Sequence, residues 1–504
     1  MRILFGLVLL ALALDALYFT GFYASDDIQY IDACVSIAKD GHMAPGFGNT
    51  RIGVTLPGAF VYWLTGSLSA LVWFHVVYHL FLVPIAYVLA RLVLDERAGL
   101  IAAALVAINP LFYGYAGAVL PDNSATCCFG LAMIALVATR RSADLGSGLL
   151  SWSTRRALGY FLAGAMIGLC YWCKESAIIL TVPAAIMIMA AGPSLKSLVW
   201  VQNGALFALG LAVVFALELV VLRVVTGEWI NRLTYLKDAA GELRQTMLED
   251  GETPFARFAF ASDQVTRWMP VSMWLLLAGT VAFGFTRARD AGLMALFWFP
   301  VIYMTIGSTN MSEYVPPPIQ GRYYAIVVLP AIVMSAVCVS LLIQRWRTRS
   351  PRAYTGLALV ASLLLVGVYE CKGALPLSGA IYRSRDVRAF IAALERADQL
   401  YPDYPIRLSP FFSGRMGPVL LGREGLFREG APPPKPPYVY IRGASETTAP
   451  DATKRATMVF TPPANRYRVL LESLGRLTNA SHRKKKLVHT QYWSAELFVI
   501  AEEK

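Results

Sequence analysis

The sequence predicts a polytopic α-helical membrane protein of about eleven transmembrane helices, with a small α/β domain at its C-terminal end. Hydrophobic residues make up 56% of the 504 residues and charged residues only 15%, at a mean hydropathy of +0.52, whereas a soluble domain is about 25% charged. Apolar runs long enough to cross a bilayer, about 20 residues each, recur up to Glu370. Beyond Glu370 the chain becomes polar and contains a proline-rich stretch. We therefore predict a transmembrane domain at 1–370 and a separate domain at 371–504.

Hydropathy places the individual spans. We predict them at 3–23, 70–92, 98–118, 122–139, 157–173, 175–192, 197–222, 269–286, 291–307, 323–343 and 353–370. The first run could be a signal peptide, but no small-residue cleavage site precedes Ser25, so we interpret it as an uncleaved anchor.

Basic residues orient these spans. They occupy alternate loops, at Arg91 and Arg97; Arg140, Arg141, Arg155 and Arg156; Lys196; Arg287 and Arg289; and Arg345, Arg347, Arg349 and Arg352. Under the positive-inside rule this face and the N-terminus are cytoplasmic. The opposite, outer face then receives 24–69, the turns at Pro121 and Lys174, the loops 223–268 and 308–322, and the tail. Because arginine has this topological role, the net charge of +12 does not indicate a nucleic-acid partner.

Two helices are predicted to lie along the outer membrane surface, at 28–39 and 58–67. The second helix joins the next span without a polar break, and the combined run of about 37 residues is too long for one crossing. Pro57 precedes it, and Trp63 suits a membrane interface. The alternative is a single long, tilted helix.

The tail is predicted to be an α/β domain on the outer face. Runs typical of β-strands occur at 438–441, 457–460 and 497–500, and 467–477 is amphipathic with a helical period. The basic run 483–486 could contact lipid headgroups or an anionic glycan, or could form a solvated loop.

Carboxylates on the outer face are candidate catalytic groups. Asp26 and Asp27 stand together just after the first span. Two carboxylates held side by side raise the pKa of one of them, which suits a general base near neutral pH. The alternatives are a solvated turn or the N-cap of the surface helix. Asp122 begins the fourth span, where a carboxylate also offsets the helix dipole.

Three cations on the outer face are candidate ligands for an anion. Lys174 lies between two apolar runs, and an ammonium binds phosphate well, although an ion pair with Glu175 is the alternative. Arg322 opens the tenth span on the face where arginine is unexpected, and a guanidinium can bind phosphate through two hydrogen bonds. Glu313 in the same loop could instead be its partner. Arg51 is a further candidate of this kind.

Four ionisable side chains fall within predicted spans. His75 and His79 share a helix face and could bind a metal, but a packed pair with satisfied nitrogens is commoner. Asp15 and Glu218 are expected to form hydrogen bonds inside the bundle rather than to act in catalysis.

Five stretches together resemble a known group of enzymes. They are Asp26-Asp27 with Tyr30; Arg51 to Gly66; Pro121-Asp122; Gly168 to Lys174; and Arg322-Tyr323 leading to Leu329-Pro330. In this order and on one face, they are similar to the C-type glycosyltransferases, in the branch of protein mannosyltransferases and bacterial aminoarabinose transferases. Related bacterial enzymes usually carry a Lys-Pro-Pro run in the first loop, where this chain has Thr55-Leu56-Pro57-Gly58. Arg51 is the candidate substitute for that lysine.

The resemblance implies transfer of a single sugar from a polyprenyl-phosphate donor to a lipid, polysaccharide or protein acceptor. The reaction would take place at the outer, periplasmic face of the cell inner membrane, with inversion at the anomeric carbon. A donor with a long apolar tail agrees with the lack of any phosphate-binding loop or dinucleotide fingerprint in the sequence.

The resemblance also gives each candidate residue a role. Catalysis falls to Asp27, Asp26 and Asp122; binding of the donor phosphate to Lys174, Arg322 and Arg51; and the acceptor site or a lid to Tyr30, Glu313 and Tyr323. The loop 223–268 could order over bound substrate. We assign no metal site, although the three aspartates could hold a divalent cation in a group whose members differ in metal use.

A transporter or flippase for a lipid-linked or anionic solute is the alternative from another class. It would use the same outer cations and the intramembrane acids. The sequence has no internal repeat, and its acids cluster on one face rather than at the bilayer midplane. Both observations favour the enzyme.

Overall fold

The computed structural model is largely helical. It describes residues 2–17, 19, 21, 26–46, 48–144, 149–190, 199–230, 232, 253–259, 271–286, 291–308, 314–315, 317, 321–347, several positions between 393 and 400, and the strands 406–408, 438–443, 458–460 and 495–500. The α-helices are α1 Arg2–Leu17, α2 Asp26–Asp40, α3 Ile52–Thr65, α4 Leu68–Phe74, α5 Val76–Val93, α6 Glu96–Ala107, α7 Pro110–Ala116, α8 Pro121–Asp144, α9 Leu149–Cys173, α10 Thr181–Ala190, α11 Val199–Thr226, α12 Val271–Thr286, α13 Ala291–Ile306 and α14 Ala325–Arg347. Short 3-10 helices, Glu175–Leu180 and Gly321–Tyr324, precede α10 and α14.

Five helical stretches are long and apolar enough to cross a membrane. They are Leu68–Val93, Pro121–Arg141, Arg156–Cys173, Val199–Thr226 and Arg322–Arg345. The chain is therefore a multi-pass membrane protein, as the hydropathy predicts. Shorter helices occupy the other predicted spans up to residue 343. The last predicted span, 353–370, lies outside the described residues, and the number eleven stays a prediction.

The segment after α1 contains two helices, as predicted, and the alternative of one long tilted helix is wrong; the location of both helices on the outer membrane surface stays a prediction. The helix α3 ends at Gly66, whose φ of 63° is left-handed and whose N–H bonds to the Tyr62 carbonyl. Glycine takes this conformation without strain. The Ser67 side chain then accepts the N–H of Ala70 and starts α4. Trp63 is 66% exposed on α3, which suits a helix lying at a membrane surface.

The predicted span 98–118 is not one helix, because the chain breaks at Asn109. The Asn109 side chain accepts the N–H of Leu111 at 2.9 Å, and Pro110 occupies the first turn of α7. Proline fits the first turn of a helix because its missing N–H would have no partner there. The break separates α6 from α7, and α7 leads the chain back to Pro121, where α8 begins.

Close backbone approach joins α9 to α11. A Cβ atom added at Gly164 would lie 1.9 Å from the Phe207 carbonyl oxygen, and one added at Gly210 would lie 2.0 Å from the Phe161 carbonyl oxygen. Small residues are what allow membrane helices to approach this closely. The pair of helices then carries the ends of α9 and α11 to the same region.

The helix α14 packs against α5, α6, α8, α12 and α13. Asp95, the N-cap of α6, also accepts hydrogen bonds from Ser340 at 3.2 Å and from Gln344 at 2.6 Å. These bonds fix the C-terminal half of α14 beside the start of α6.

The described part of the tail contains a mixed four-stranded sheet. Its strands are β1 Ile406–Leu408, β2 Tyr438–Gly443, β3 Met458–Phe460 and β4 Ala495–Ile500, in the order β1-β2-β4-β3. The pair β1 and β2 is parallel, and β4 is antiparallel to β2 and β3. Strands occur at each of the three predicted β runs. The predicted helix 467–477 and the basic run 483–486 lie outside the described residues.

Gly210→Ala should destabilise the helical bundle, because the new methyl group meets the backbone of α9. Overpacking of this kind costs about 1–3 kcal/mol, so the melting temperature in detergent should fall. Gly204→Ala is the matched control, since Gly204 lies on the same helix with nothing within 4 Å of an added Cβ. That variant should be unchanged or slightly more stable. Equal melting temperatures for the two variants would contradict the close approach.

Candidate active site

Ends of four elements bring charged side chains to one buried place. Arg51 immediately precedes α3, Asp122 lies in the first turn of α8, Lys174 separates α9 from the following 3-10 helix, and Arg322 lies in the 3-10 helix before α14. Each of these residues is 9% exposed or less. Buried charges need partners because the interior solvates them poorly.

Lys174 pairs with Asp122. Its ammonium lies 2.5 Å from one carboxylate oxygen of Asp122 and 4.0 Å from the centre of the Tyr323 ring. Arg322 lies over the same ring at 5.3 Å. The other carboxylate oxygen of Asp122 is buried and has no hydrogen-bond partner among the described residues. We name Lys174, Arg322 and Arg51 the cation cluster.

The predicted alternative, an ion pair between Lys174 and Glu175, is wrong. Lys174 has an extended backbone, with φ −151° and ψ 122°, between two helices. Side chains of successive residues in an extended segment point to opposite sides. Glu175 therefore faces Arg51, whose Nε donates to its two carboxylate oxygens at 3.0 and 3.1 Å.

Glu175 also accepts a hydrogen bond from a residue that the sequence analysis missed. Arg232 donates from Nη2 to Glu175 at 2.5 Å and from Nη1 to Glu218 at 2.6 Å. Its Nη1 also donates to the Tyr171 carbonyl at 3.0 Å. A signal was present, since Arg232 lies in the predicted outer loop 223–268, where arginine is as unexpected as at Arg322.

The helix α2 adds Asp27 and Tyr30 to this region. Arg51 donates from Nη1 to the Tyr30 hydroxyl, and its guanidinium lies 5.5 Å from the centre of the Tyr30 ring. Asp27 is fully buried. Being three residues apart on α2, Asp27 and Tyr30 share a helix face. The interpretation of Asp27 as part of a solvated turn is therefore wrong, and Asp26 is the first residue of α2.

The cations influence one another electrostatically. Burial lowers the pKa of the Lys174 ammonium, and the nearby Arg51 and Arg322 guanidiniums lower it further, although Asp122 opposes the change. Burial alone would also lower the pKa of Arg51, but the Glu175 carboxylate raises it above its usual range. Each of these cations is held by an oxygen or an aromatic ring.

Some predicted residues fall outside this description. Three of them lie outside the described residues: Glu313, the candidate partner of Arg322; most of the loop 223–268; and the side chain of Asp26. Among the residues that the structure describes, no group of three His, Cys, Asp or Glu side chains is arranged to hold a metal ion.

The intramembrane groups form hydrogen bonds within the bundle, as predicted. His79 lies with Nδ1 2.7 Å from Asp15 and with Nε2 3.2 Å from the Val106 carbonyl, so both ring nitrogens have partners. His75 Nδ1 lies 3.1 Å from the Leu71 carbonyl, whereas its Nε2 is buried and has no hydrogen-bond partner among the described residues, so the expectation of satisfied nitrogens holds for His79 but not for His75. The two histidines therefore point to different partners instead of sharing one ligand.

The chain resembles proteins of known fold. Residues 58–222 match the sequence family described as dolichyl-phosphate-mannose-protein mannosyltransferase. No curated protein matches the chain in sequence.

Solved structures with the same fold include two enzymes. One is ArnT from Cupriavidus metallidurans bound to undecaprenyl phosphate, with 13% identity and a TM-score of 0.53 over 87% of this chain and 92% of that one. Another is the Archaeoglobus fulgidus oligosaccharyltransferase in complex with Zn and sulfate, with 15% identity and a TM-score of 0.51 over 83% of this chain. This chain covers 61% of the length of that archaeal protein. The predicted resemblance to the C-type glycosyltransferases is confirmed.

Asp122→Leu should destabilise the protein, because it leaves the Lys174 ammonium buried without its carboxylate. Breaking a buried pair costs about 3–5 kcal/mol, whereas replacing both partners by apolar residues is often neutral. The double variant Asp122→Leu/Lys174→Met should therefore melt well above Asp122→Leu alone. The exposed Lys39→Met serves as a control for loss of a lysine. Additive losses in the double variant would contradict a mutual ion pair.

Proposed function

We propose that the protein is an integral membrane glycosyltransferase. It moves a single sugar, a hexose or a pentose, from a polyprenyl-phosphate donor to a lipid, glycan or protein acceptor, with inversion. The observation that carries this proposal is the cation cluster, which lies buried beside the Asp122 carboxylate at the ends of helices. Asp27 is also buried, on the same helix face as Tyr30, which contacts Arg51. A phosphate on an apolar tail can reach such a place from the bilayer.

The cation cluster would bind the phosphate of the donor. As the bond between the anomeric carbon and the phosphate oxygen breaks, negative charge grows on the leaving polyprenyl phosphate. The Lys174 ammonium lies 4.0 Å and the Arg322 guanidinium 5.3 Å from the centre of the Tyr323 ring, so one anion would be within reach of both cations. Cations fixed before the reaction stabilise developing charge more than mobile solvent does.

Asp27 would act as the general base. The acceptor hydroxyl gives its proton to the carboxylate while its oxygen forms the new bond to the anomeric carbon from the face opposite the leaving phosphate. A single displacement of this kind inverts the anomeric centre. Asp27 is supported because it is buried and shares a helix face with Tyr30, whose hydroxyl accepts a hydrogen bond from Arg51.

The comparisons support a lipid-linked donor. The ArnT structure was determined with undecaprenyl phosphate, and a structure of the archaeal oligosaccharyltransferase AglB, at a TM-score of 0.50 and 14% identity, contains an inhibitory peptide and a dolichol-phosphate. The family matched over 58–222 is named for a dolichyl-phosphate-mannose donor and a protein acceptor.

We place the site on the outer face of the cell inner membrane, with the N-terminus in the cytoplasm. Arginine-rich loops at the opposite ends of the spans support this orientation. The proposal includes eleven spans and a periplasmic α/β domain formed by 371–504, whose sheet agrees with the strand pattern of the sequence.

The structure supports the enzyme over the transporter. A transporter would expose its intramembrane acids to a pathway. Here Asp15 is bonded to His79, and Glu218 is bonded to Arg232. Both acids therefore bind partners on other parts of the bundle, which supports a structural role for them.

Asp27→Asn should reduce sugar transfer by about 100- to 10,000-fold, the usual contribution of a general base. The assay is release of polyprenyl phosphate from a panel of radiolabelled undecaprenyl-phosphate sugars incubated with acceptor lipids and peptides. Asp40→Asn, at the exposed end of the same helix, is the matched control and should keep full activity. Full transfer by Asp27→Asn would remove the proposed base.

Arg322→Met should weaken binding of undecaprenyl phosphate by about tenfold or more, because it removes a charge-assisted hydrogen bond. The affinity can be measured by the shift in melting temperature as the lipid is titrated. Arg345→Met, at the other, exposed end of the same membrane segment, provides the control. If both variants bound equally well, Arg322 would not belong to the phosphate site.

A further inference from the structure

Four arginines meet at the end of the bundle opposite the candidate active site. They are Arg91 in the last turn of α5, Arg140 and Arg141 near the end of α8, and Arg156 near the start of α9. We name them the arginine group. Because Lys174 follows the other end of α9, 18 residues of chain separate it from Arg156, a distance of about 27 Å along a helix.

Two members of the arginine group meet where α8 contacts α5. Arg141 donates from Nη2 to the carbonyl of Val93, the last residue of α5, at 2.7 Å. The guanidinium of Arg91 lies 5.9 Å from the centre of the Tyr87 ring, and its Nη1 lies 3.4 Å from the Tyr87 hydroxyl. Both guanidiniums are therefore held at the C-terminal turn of α5.

The other two members meet where α8 contacts α9. The helices are close here, since a Cβ atom added at Gly159 would lie 1.9 Å from the Thr139 hydroxyl oxygen. Arg156 donates to the Tyr160 hydroxyl and lies 5.9 Å from the centre of that ring. Arg140 acts electrostatically on the same hydroxyl. The Tyr160 ring therefore brings a second pair of guanidiniums together.

These two pairs make the end of the bundle positive. The helix α8 packs against both α5 and α9, so the pairs are separated by about one helix spacing, 8–10 Å. On α5, α6, α8 and α9, the acidic side chains described at this end are those of Asp95 and Glu96. Asp95 accepts from Ser340 and Gln344. Four cations thus face two acids, one of which is engaged with neutral donors.

Apolar side chains continue from these arginines towards the middle of the spans. Val88 is exposed on α5, one turn before Arg91. On α8, Ile134 and Ala138 are partly exposed and share a helix face with Arg141. A molecule that covered this surface would need an anionic head and apolar chains. That is the chemistry of a phospholipid and not of a soluble phosphate.

We propose that the arginine group binds a phospholipid with two phosphates joined by glycerol, the chemistry of cardiolipin, in the leaflet on this side of the membrane. One phosphate would lie between Arg91 and Arg141, and the other between Arg140 and Arg156. Guanidiniums suit this task because each can donate two hydrogen bonds to a phosphate. Basic pockets between membrane helices bind such headgroups. The site is independent of the proposed sugar transfer because it lies at the other end of the spans.

The experiment measures the affinity of the purified full chain, in detergent, for cardiolipin, phosphatidylglycerol and phosphatidylcholine. Mass spectrometry of the intact complex gives the affinities. Cardiolipin should bind about tenfold or more tightly than phosphatidylglycerol, and phosphatidylcholine should bind weakest. Inorganic phosphate should not displace cardiolipin, since the apolar chains contribute to binding.

Replacing either pair of arginines should weaken cardiolipin binding about 30-fold, since each cation contributes about fivefold. The variants are Arg91→Met/Arg141→Met and Arg140→Met/Arg156→Met. Arg223→Met is the matched control, because Arg223 is an exposed arginine near the end of α11, outside the arginine group. Its affinity for cardiolipin should equal that of the wild type.

Several outcomes would overturn the proposal. Equal affinity for cardiolipin and phosphatidylglycerol would show that the two pairs do not serve two phosphates, and equal affinity for phosphatidylcholine would remove the anionic site. An equal loss in Arg223→Met would show unspecific attraction of charge. If a double variant does not fold, the single variant Arg91→Gln replaces it, because Arg91 is exposed. It should bind cardiolipin about fivefold more weakly with an unchanged melting temperature without lipid, and unchanged affinity would contradict the site.

Discussion

The need to match buried charge is the constraint on which the rest of this structure depends. Arg51, Lys174, Glu175 and Arg232 are each less than a tenth exposed, and an unpaired charge at such a place is strongly destabilising. Every one of them has an opposite charge within 3.0 Å. Because the partners come from different helices, the ion pairs also determine how those helices meet.

Short interruptions divide the helices, and one of them places a buried charge. The left-handed turn at Gly66 ends α3 before α4, and the cap at Asn109 separates α6 from α7. The extended residue Lys174 divides α9 from the next helical segment. Polar backbone groups left unpaired by such breaks are tolerated inside a membrane protein only where protein or water covers them. The break at Lys174 is the one that lies among the buried charges, since Lys174 pairs with Asp122.

The sequence located most of the charged groups but not their partners. Hydropathy and the positive-inside pattern selected Lys174, Arg322 and Asp122 as unusual at the ends of spans, and these residues do lie close to one another. Adjacency in the chain suggested that Lys174 pairs with Glu175, which is wrong because an extended backbone directs neighbours to opposite sides. Arg232 was missed because the loop 223–268 contains several arginines that are equally unexpected on the predicted outer face, and the sequence does not show which of them meets a carboxylate.

Composition and periodicity by themselves determined that this chain is a helical membrane protein. Its apolar runs are long enough to cross a bilayer, and burying them away from water is favourable however the helices pack. Glycine, proline and capping side chains end helices by acting on the adjacent backbone, but hydropathy did not reveal the break at Asn109. Only the tertiary structure decided that Glu175 serves two arginines and that Asp27 is buried. Ion pairing and burial depend on the distance between side chains that are far apart in sequence, and that distance is set by how whole helices pack.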